Sequence, residues 1–117
     1  MEIQVESAAN APCRVTLAGE MNIYAAAELK DKLISPLDAH DELEIDLSRV
    51  AEMDSSGLQV LILAKRHAAA HNKSLRLVGH SRPVRELLEL YNLAVWFGDP
   101  LVIPADEAGA TYTGERP

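Results

Sequence analysis

From Leu43 to Leu47 the chain reads LEIDL, with Leu43, Ile45 and Leu47 alternating with Glu44 and Asp46, and from Leu58 to Ala64 it is apolar at every position except Gln59. An apolar period of two places one side of a strand on a core and leaves the other wet. The longer run that follows has the length and spacing of a helix, and it must lie on the apolar side of that strand. The same change of period recurs along the chain. Val15 and Leu17 alternate with Arg14 and Thr16 ahead of a helical segment, and SLRLVGH precedes another.

The stretches IQV and CRVTLAG read as two strands joined across the polar ESAANAP, a hairpin. NIYAAAELKDKLISPL then carries Ala26, Leu29 and Leu33 on one helical face, with Asn22 placed as N-cap and Pro36 placed to close the helix. On the helix after LEIDL, Val60, Leu61, Ala64 and Ala68 suffice to seat it on a sheet, and Leu58 and Ile62 spill onto an adjacent face beside Gln59 and Arg66. SRPVRELLELYNL gives a helix with Ser81 as N-cap, Pro83 in its first turn and a stripe of Val84, Leu87, Leu88 and Tyr91, and AVWF gives a last short strand. Alternating βα units after a hairpin define a mixed sheet, so the expected class is α/β: a two-layer domain with helices packed on one face. Its 117 residues are one domain's worth of chain. The packed part is expected over residues 1–103, with a flexible tail at 104–117, where PADEAGATYTGERP has almost nothing to bury.

A formal charge of −7 argues against a nucleic-acid binder, which needs a basic face to neutralise phosphates. The single cysteine, Cys13, forms no internal disulfide and has no companions for a zinc site. MEIQVESAAN lacks a positive region followed by an apolar run, so a cytoplasmic protein without direct membrane insertion is expected.

The sequence MDSSGL raises the functional question. Asp54 and the serines after it are good N-caps, which accounts for one residue of the four from 54 to 57. Gly57 in a first helical turn costs on the order of 1 kcal/mol relative to Ala unless a close backbone approach or a special dihedral requires it.

GEMN at 19–22, IDLSRVAEMDSSGLQVLI at 45–62 and LVGHSRPVRELLELYNL at 77–93 together resemble the STAS domain of bacterial anti-sigma factor antagonists, the anti-anti-sigma factors. The resemblance implies a STAS-like fold and a partner-exchange switch rather than an enzyme. It implies that Ser55 is phosphorylated by an anti-sigma factor that is also a serine kinase, and that the unphosphorylated form binds that partner and frees a sigma factor. A serine phosphatase would reset the switch. Asp54, Ser56, Gly57, Leu58 and Ile62 would line the contact surface, with Asn22 contributing from the loop before the first helix. The family commonly has Gly-Glu-Leu-Asp where this chain has GEMN, so Asn22 offers an amide in place of a carboxylate.

Other constellations are weaker. His67 and His71 are spaced for one metal ion but lack a third ligand, and they are expected to face solvent. DSSG lacks the first glycine of a nucleophile elbow, and nothing places His80 beside Ser55, so a serine hydrolase is a distant alternative. No phosphate-cradling glycine motif is present, and no cofactor is implied. The nearer alternative is a STAS scaffold subunit of a lipid ABC transporter, docking an ATPase through the same helix without phosphorylation.

Overall fold

The hairpin forms as expected. In the computed structural model, which describes residues 1–97, β1 (Glu2–Glu6) and β2 (Cys13–Met21) pair antiparallel with Ile3 opposite Leu17 and Val5 opposite Val15. After α1 (Ala26–Ala39), β3 (Glu42–Met53) returns parallel to β2. After α2 (Ser55–Ala70), β4 (Ser74–Val78) returns parallel to β3, giving a mixed sheet in the order β1-β2-β3-β4. Then α3 (Arg82–Leu90) crosses β3, and a single turn, α4 (Ala94–Phe97), follows. The tail expected at 104–117 lies outside the described residues.

The core lies on one face of the sheet. Val15, Leu17, Ile45, Leu47, Leu75 and Leu77 are buried in the same cluster as Leu29, Leu33 and Leu37 of α1, Leu58, Leu61 and Ala64 of α2, and Val84 and Leu88 of α3. Each such side chain removed from water is worth roughly 2 kcal/mol. The open face carries an ordered row of charge. Glu6, Arg14, Glu44 and Arg76 are register neighbours across all four strands, and Arg14 reaches Asp46 at 2.9 Å and Glu44 at 3.5 Å.

Four expectations are corrected. Pro36 does not close α1, which continues to Ala39: the proline forfeits one N–H near the helix end, its ring is buried, and its carbonyl still accepts from the His40 N–H. β3 extends well past Leu47. Its alternation is disguised by register shifts against β2, the first of them near Ser48, whose N–H donates to the Asp46 carboxylate at 2.9 Å. AVWF is the helical turn α4 and not a strand. Asn92, at φ 57, ends α3 and the Leu93 N–H bonds the Leu88 carbonyl, so the chain folds back on α3, and the Phe97 N–H then closes the turn on the Leu93 carbonyl. His67 does not simply face solvent, because its Nε2 lies 2.9 Å from Asp38 of α1 and its ring stacks on His71. Ser81 does precede α3, but its buried hydroxyl makes no cap bond and has no partner among the described residues.

Candidate functional site at the carboxyl ends of β2 and β3

Because β2 and β3 run parallel, they end at the same edge of the sheet. Met21 is paired with Met53 as the last step of the ladder, and the Asp54 N–H donates to the Met21 carbonyl at 3.1 Å. Asn22 and Asp54 therefore leave adjacent strands side by side. In sheets of this kind, the crevice outside the carboxyl ends of parallel strands is where ligands collect.

Asp54 is the N-cap of α2. Its Oδ1 accepts from the N–H groups of Ser56 at 2.8 Å and Gly57 at 3.2 Å, and its backbone carbonyl takes the first helical bond, from Leu58. Ser55, the first helical residue, is exposed. A phosphate there would stand at the positive end of the helix dipole, but beside a carboxylate that already occupies two of the free N–H groups.

Gly57 is explained by packing. A Cβ at this position would lie 2.6 Å from the Met21 carbonyl oxygen and 2.7 Å from the Met21 Cβ, so the first turn of α2 rests directly on the end of β2. Leu58 is 3% exposed and belongs to the core. These two residues set the height and tilt of the helix mouth and present little surface of their own. Asp54 is exposed, Ser56 is half-buried, and Ile62 is half-buried against the core. Gln59, between Ser55 and Ile62, is exposed and widens the accessible face.

Asn22 does cap, but not the helix. Its Oδ1 accepts from the N–H groups of Tyr24 at 3.0 Å and Ala25 at 3.2 Å, fixing a turn that precedes α1. An aspartate could accept the same two bonds, so the amide found here preserves the turn while removing a charge. That turn presents two residues that helical periodicity had absorbed into α1: Ile23, 66% exposed, and Tyr24, 93% exposed. No signal in the sequence separates this pair from a helix start; the two bonds to Asn22 do.

Two shallow hollows border the site. One, of about 620 Å³, lies between the end of β2 and the start of α1 and includes Glu20, Asn22, Tyr24 and Glu28; the other, of about 350 Å³, lies between the end of β3 and α3 and includes Glu52, Met53, Glu86 and Leu90. Every charged side chain lining them is a glutamate. Glu20 and Glu52 are directly opposite each other in the ladder, and neither forms an ion pair among the described residues. His80 is buried two residues past the carboxyl end of β4.

A mixed sheet with helices on one face, and an N-capping aspartate followed by an exposed serine at the mouth of α2, define a class of domain, and comparison with known proteins agrees. The chain belongs to the STAS domain family: residues 5–103 match the family described as "Mlab, STAS domain". It is 31% identical over 80 residues to the anti-sigma-B factor antagonist of Bacillus subtilis, covering 68% of this chain and 73% of that one. A solved anti-sigma factor antagonist from Mycobacterium paratuberculosis superposes with a TM-score of 0.76 at 25% identity, covering 92% of this chain and 89% of the other. The anti-sigma factor antagonist SpoIIAA matches in fold in both its forms. The unphosphorylated form gives a TM-score of 0.70 at 23% identity, covering 92% of each chain, and the phosphorylated form, from Bacillus, 0.66 at 22%, covering 92% of this chain and 96% of the other.

Proposed function

We propose that this protein is an anti-sigma factor antagonist acting as a phosphorylation-controlled binding switch in the cytoplasm. Unphosphorylated, it binds an anti-sigma factor that is also a serine kinase; phosphorylation at Ser55 dissolves that complex, and a serine phosphatase restores it. Asn22, Asp54, Ser56 and Ile62 belong to the contact surface, while Gly57 and Leu58 act by holding the helix mouth in place. The protein is a substrate of catalysis and not a catalyst.

The observation that supports this reading is an exposed serine, Ser55, at the first position of α2, next in the chain to the capping carboxylate of Asp54. Phosphate adds about −1.5 to −2 charges. Its fold cost is small at a helix N-terminus. Across an interface the same group must be desolvated next to Asp54, and like charges there cost several kcal/mol. At about 1.4 kcal/mol per tenfold, affinity falls on the order of a hundredfold or more.

Intact mass and peptide mapping after incubation with ATP and candidate anti-sigma kinases test the modification. Binding of Ser55→Ala and Ser55→Asp to the same kinase tests its effect. One phosphate on Ser55, with binding kept by the alanine variant and lost by the aspartate variant, is the expected result. No phosphate with any such kinase, and equal binding by both variants, would overturn it and leave the transporter-scaffold reading in its place.

A further inference from the structure

We infer that the open face of the sheet is a self-association surface, and that its occupant is a second copy of this chain related by a two-fold axis. This face lies on the other side of the sheet from the core formed with α1, α2 and α3, so it shares nothing with the mouth of α2 and does not depend on Ser55.

The residues that alternate with the core decide what this face can meet. Glu6, Arg14, Glu44 and Arg76 form one register row over β1, β2, β3 and β4, so charge runs minus, plus, minus, plus across the sheet. A uniformly basic or acidic partner would meet half of that row with like charge. Reversed, however, the row is its own complement. A two-fold axis parallel to the strands, between β2 and β3, sets a second sheet face to face with the first and lays β1 over β4 and β2 over β3. Glu6 then faces the partner's Arg76 and Arg14 faces the partner's Glu44, each contact made twice, as in any isologous interface. The adjoining row, Gln4, Thr16, Asp46 and Val78, fits as well: Thr16 faces the partner's Asp46, a hydroxyl against a carboxylate. In neither row does like charge meet like.

Pairing within one chain uses only part of the row. The side chains of Arg14 and Arg76 stay 46% and 59% exposed, and Glu6 forms no ion pair among the described residues. Each guanidinium carries five N–H donors, so both arginines have some to spare. Packed sheets cross at about 30°, so the two rows meet best near the axis, and Arg14 with Glu44 carries the contact. Four strands spaced about 4.8 Å apart make a face about 20 Å wide. That places the contact at the small, transient end of protein interfaces, and the dimer is weak. Because the axis follows the strands, both copies keep the mouth of α2 at the same end.

Sedimentation equilibrium of the full chain, from micromolar to millimolar concentration, tests the inference. Wild type should form a weak dimer. Arg14→Glu and Glu44→Arg should each weaken it about a hundredfold or more, since each opposes like charges twice across the axis. An equal mixture of the two variants should dimerise again, because each supplies the charge that the other has lost. Both variants remain acidic overall, so attraction between net charges does not account for such a recovery. Thermal melts verify folding; where a reversal unfolds the chain, Arg14→Gln and Glu44→Gln take its place, with an expected weakening of about tenfold. A wild type that stays monomeric at millimolar concentration overturns the inference. So does a dimer that every variant leaves within twofold of wild type, since it uses another face. Loss in both reversed variants without recovery on mixing overturns the charge pairing that defines the contact.

Discussion

The two ends of the sheet treat their acidic residues in opposite ways. Toward the amino ends of β3 and β4, Glu44 lies between Arg14 and Arg76, and Asp46 is held by Arg14 and by the Ser48 N–H. Toward the carboxyl ends of β2 and β3, Glu20, Glu52 and Asp54 form no ion pair among the described residues, and two of them oppose each other across the ladder. Both regions draw on β2 and β3, on either side of the register shifts between them. The paired end satisfies its carboxylates within the fold, while the carboxyl end keeps two glutamates opposed across the ladder, an arrangement that disfavours the folded chain.

The strongest way to break the contrast is to move the helix mouth itself. Gly57→Ala puts a methyl group 2.6 Å from the Met21 carbonyl oxygen, an obstacle made of backbone that cannot rotate away. We expect a loss of about 3 kcal/mol, at the upper end for overpacking, read as a fall in Tm of about 10 °C or more. A melt within a degree of wild type would mean that α2 shifts freely over β2, and the site would then lack the rigidity argued for it. Asp54→Ala leaves the fold intact but strips two N–H groups of their acceptor; urea unfolding should show a loss of about 1 kcal/mol, the ordinary worth of an N-cap.

At the paired end, pH is the sharper tool. Burial alone would raise the Asp46 carboxyl, but hydrogen bonds from Ser48 and Arg14 outweigh it and hold the group below the usual carboxylate range. Its folded-state value is therefore lower than its unfolded one, so its stabilisation is present at neutral pH and disappears as the pH falls through the acid range toward the folded value. Asp46→Asn should cost about 1 kcal/mol at pH 7, and the gap between variant and wild type should narrow steadily as the pH is lowered through the acid range. A gap that stays constant would mean that ionisation of Asp46 contributes nothing.

Much of this was legible in the sequence, and the failures share a cause. The alternation in LEIDL and the apolar run of α2 gave the layer order, because those patterns report burial directly, and MDSSGL together with GEMN marked the candidate site through the family resemblance. The second half of β3 was not legible: register shifts break the period of two after Asp46, and the Asp46 carboxylate that stabilises the first of them looks in sequence like one more wet-face residue. The burial of Gly57 and Leu58 was not legible either, because a sequence gives the faces of a helix but not the depth at which it is seated. Ile23 and Tyr24 were hidden in an apparent helix start, since only the hydrogen bonds to Asn22 reveal that the chain turns there before it coils. AVWF failed for a related reason, as four apolar residues suit a strand or a buried turn equally and the outcome is decided by how α3 ends.

The smallest effect discriminates most directly between the two ends of the sheet. Glu44→Gln removes a carboxylate shared by two arginines and should destabilise by about 0.5 kcal/mol, the value of a partly exposed ion pair. Glu52→Gln removes a carboxylate whose ladder neighbour is Glu20 and should instead stabilise by about 0.3 kcal/mol. The magnitudes are close to the error of a denaturation curve, but the signs are opposite, and both should shrink in 0.5 M salt, roughly three times physiological ionic strength, as screening takes over. If Glu52→Gln destabilised as Glu44→Gln does, the carboxyl-end acids would already be neutralised within the fold, and the contrast between the two ends of the sheet would be lost. If the signs oppose, the unpaired rim is a standing cost to the folded chain.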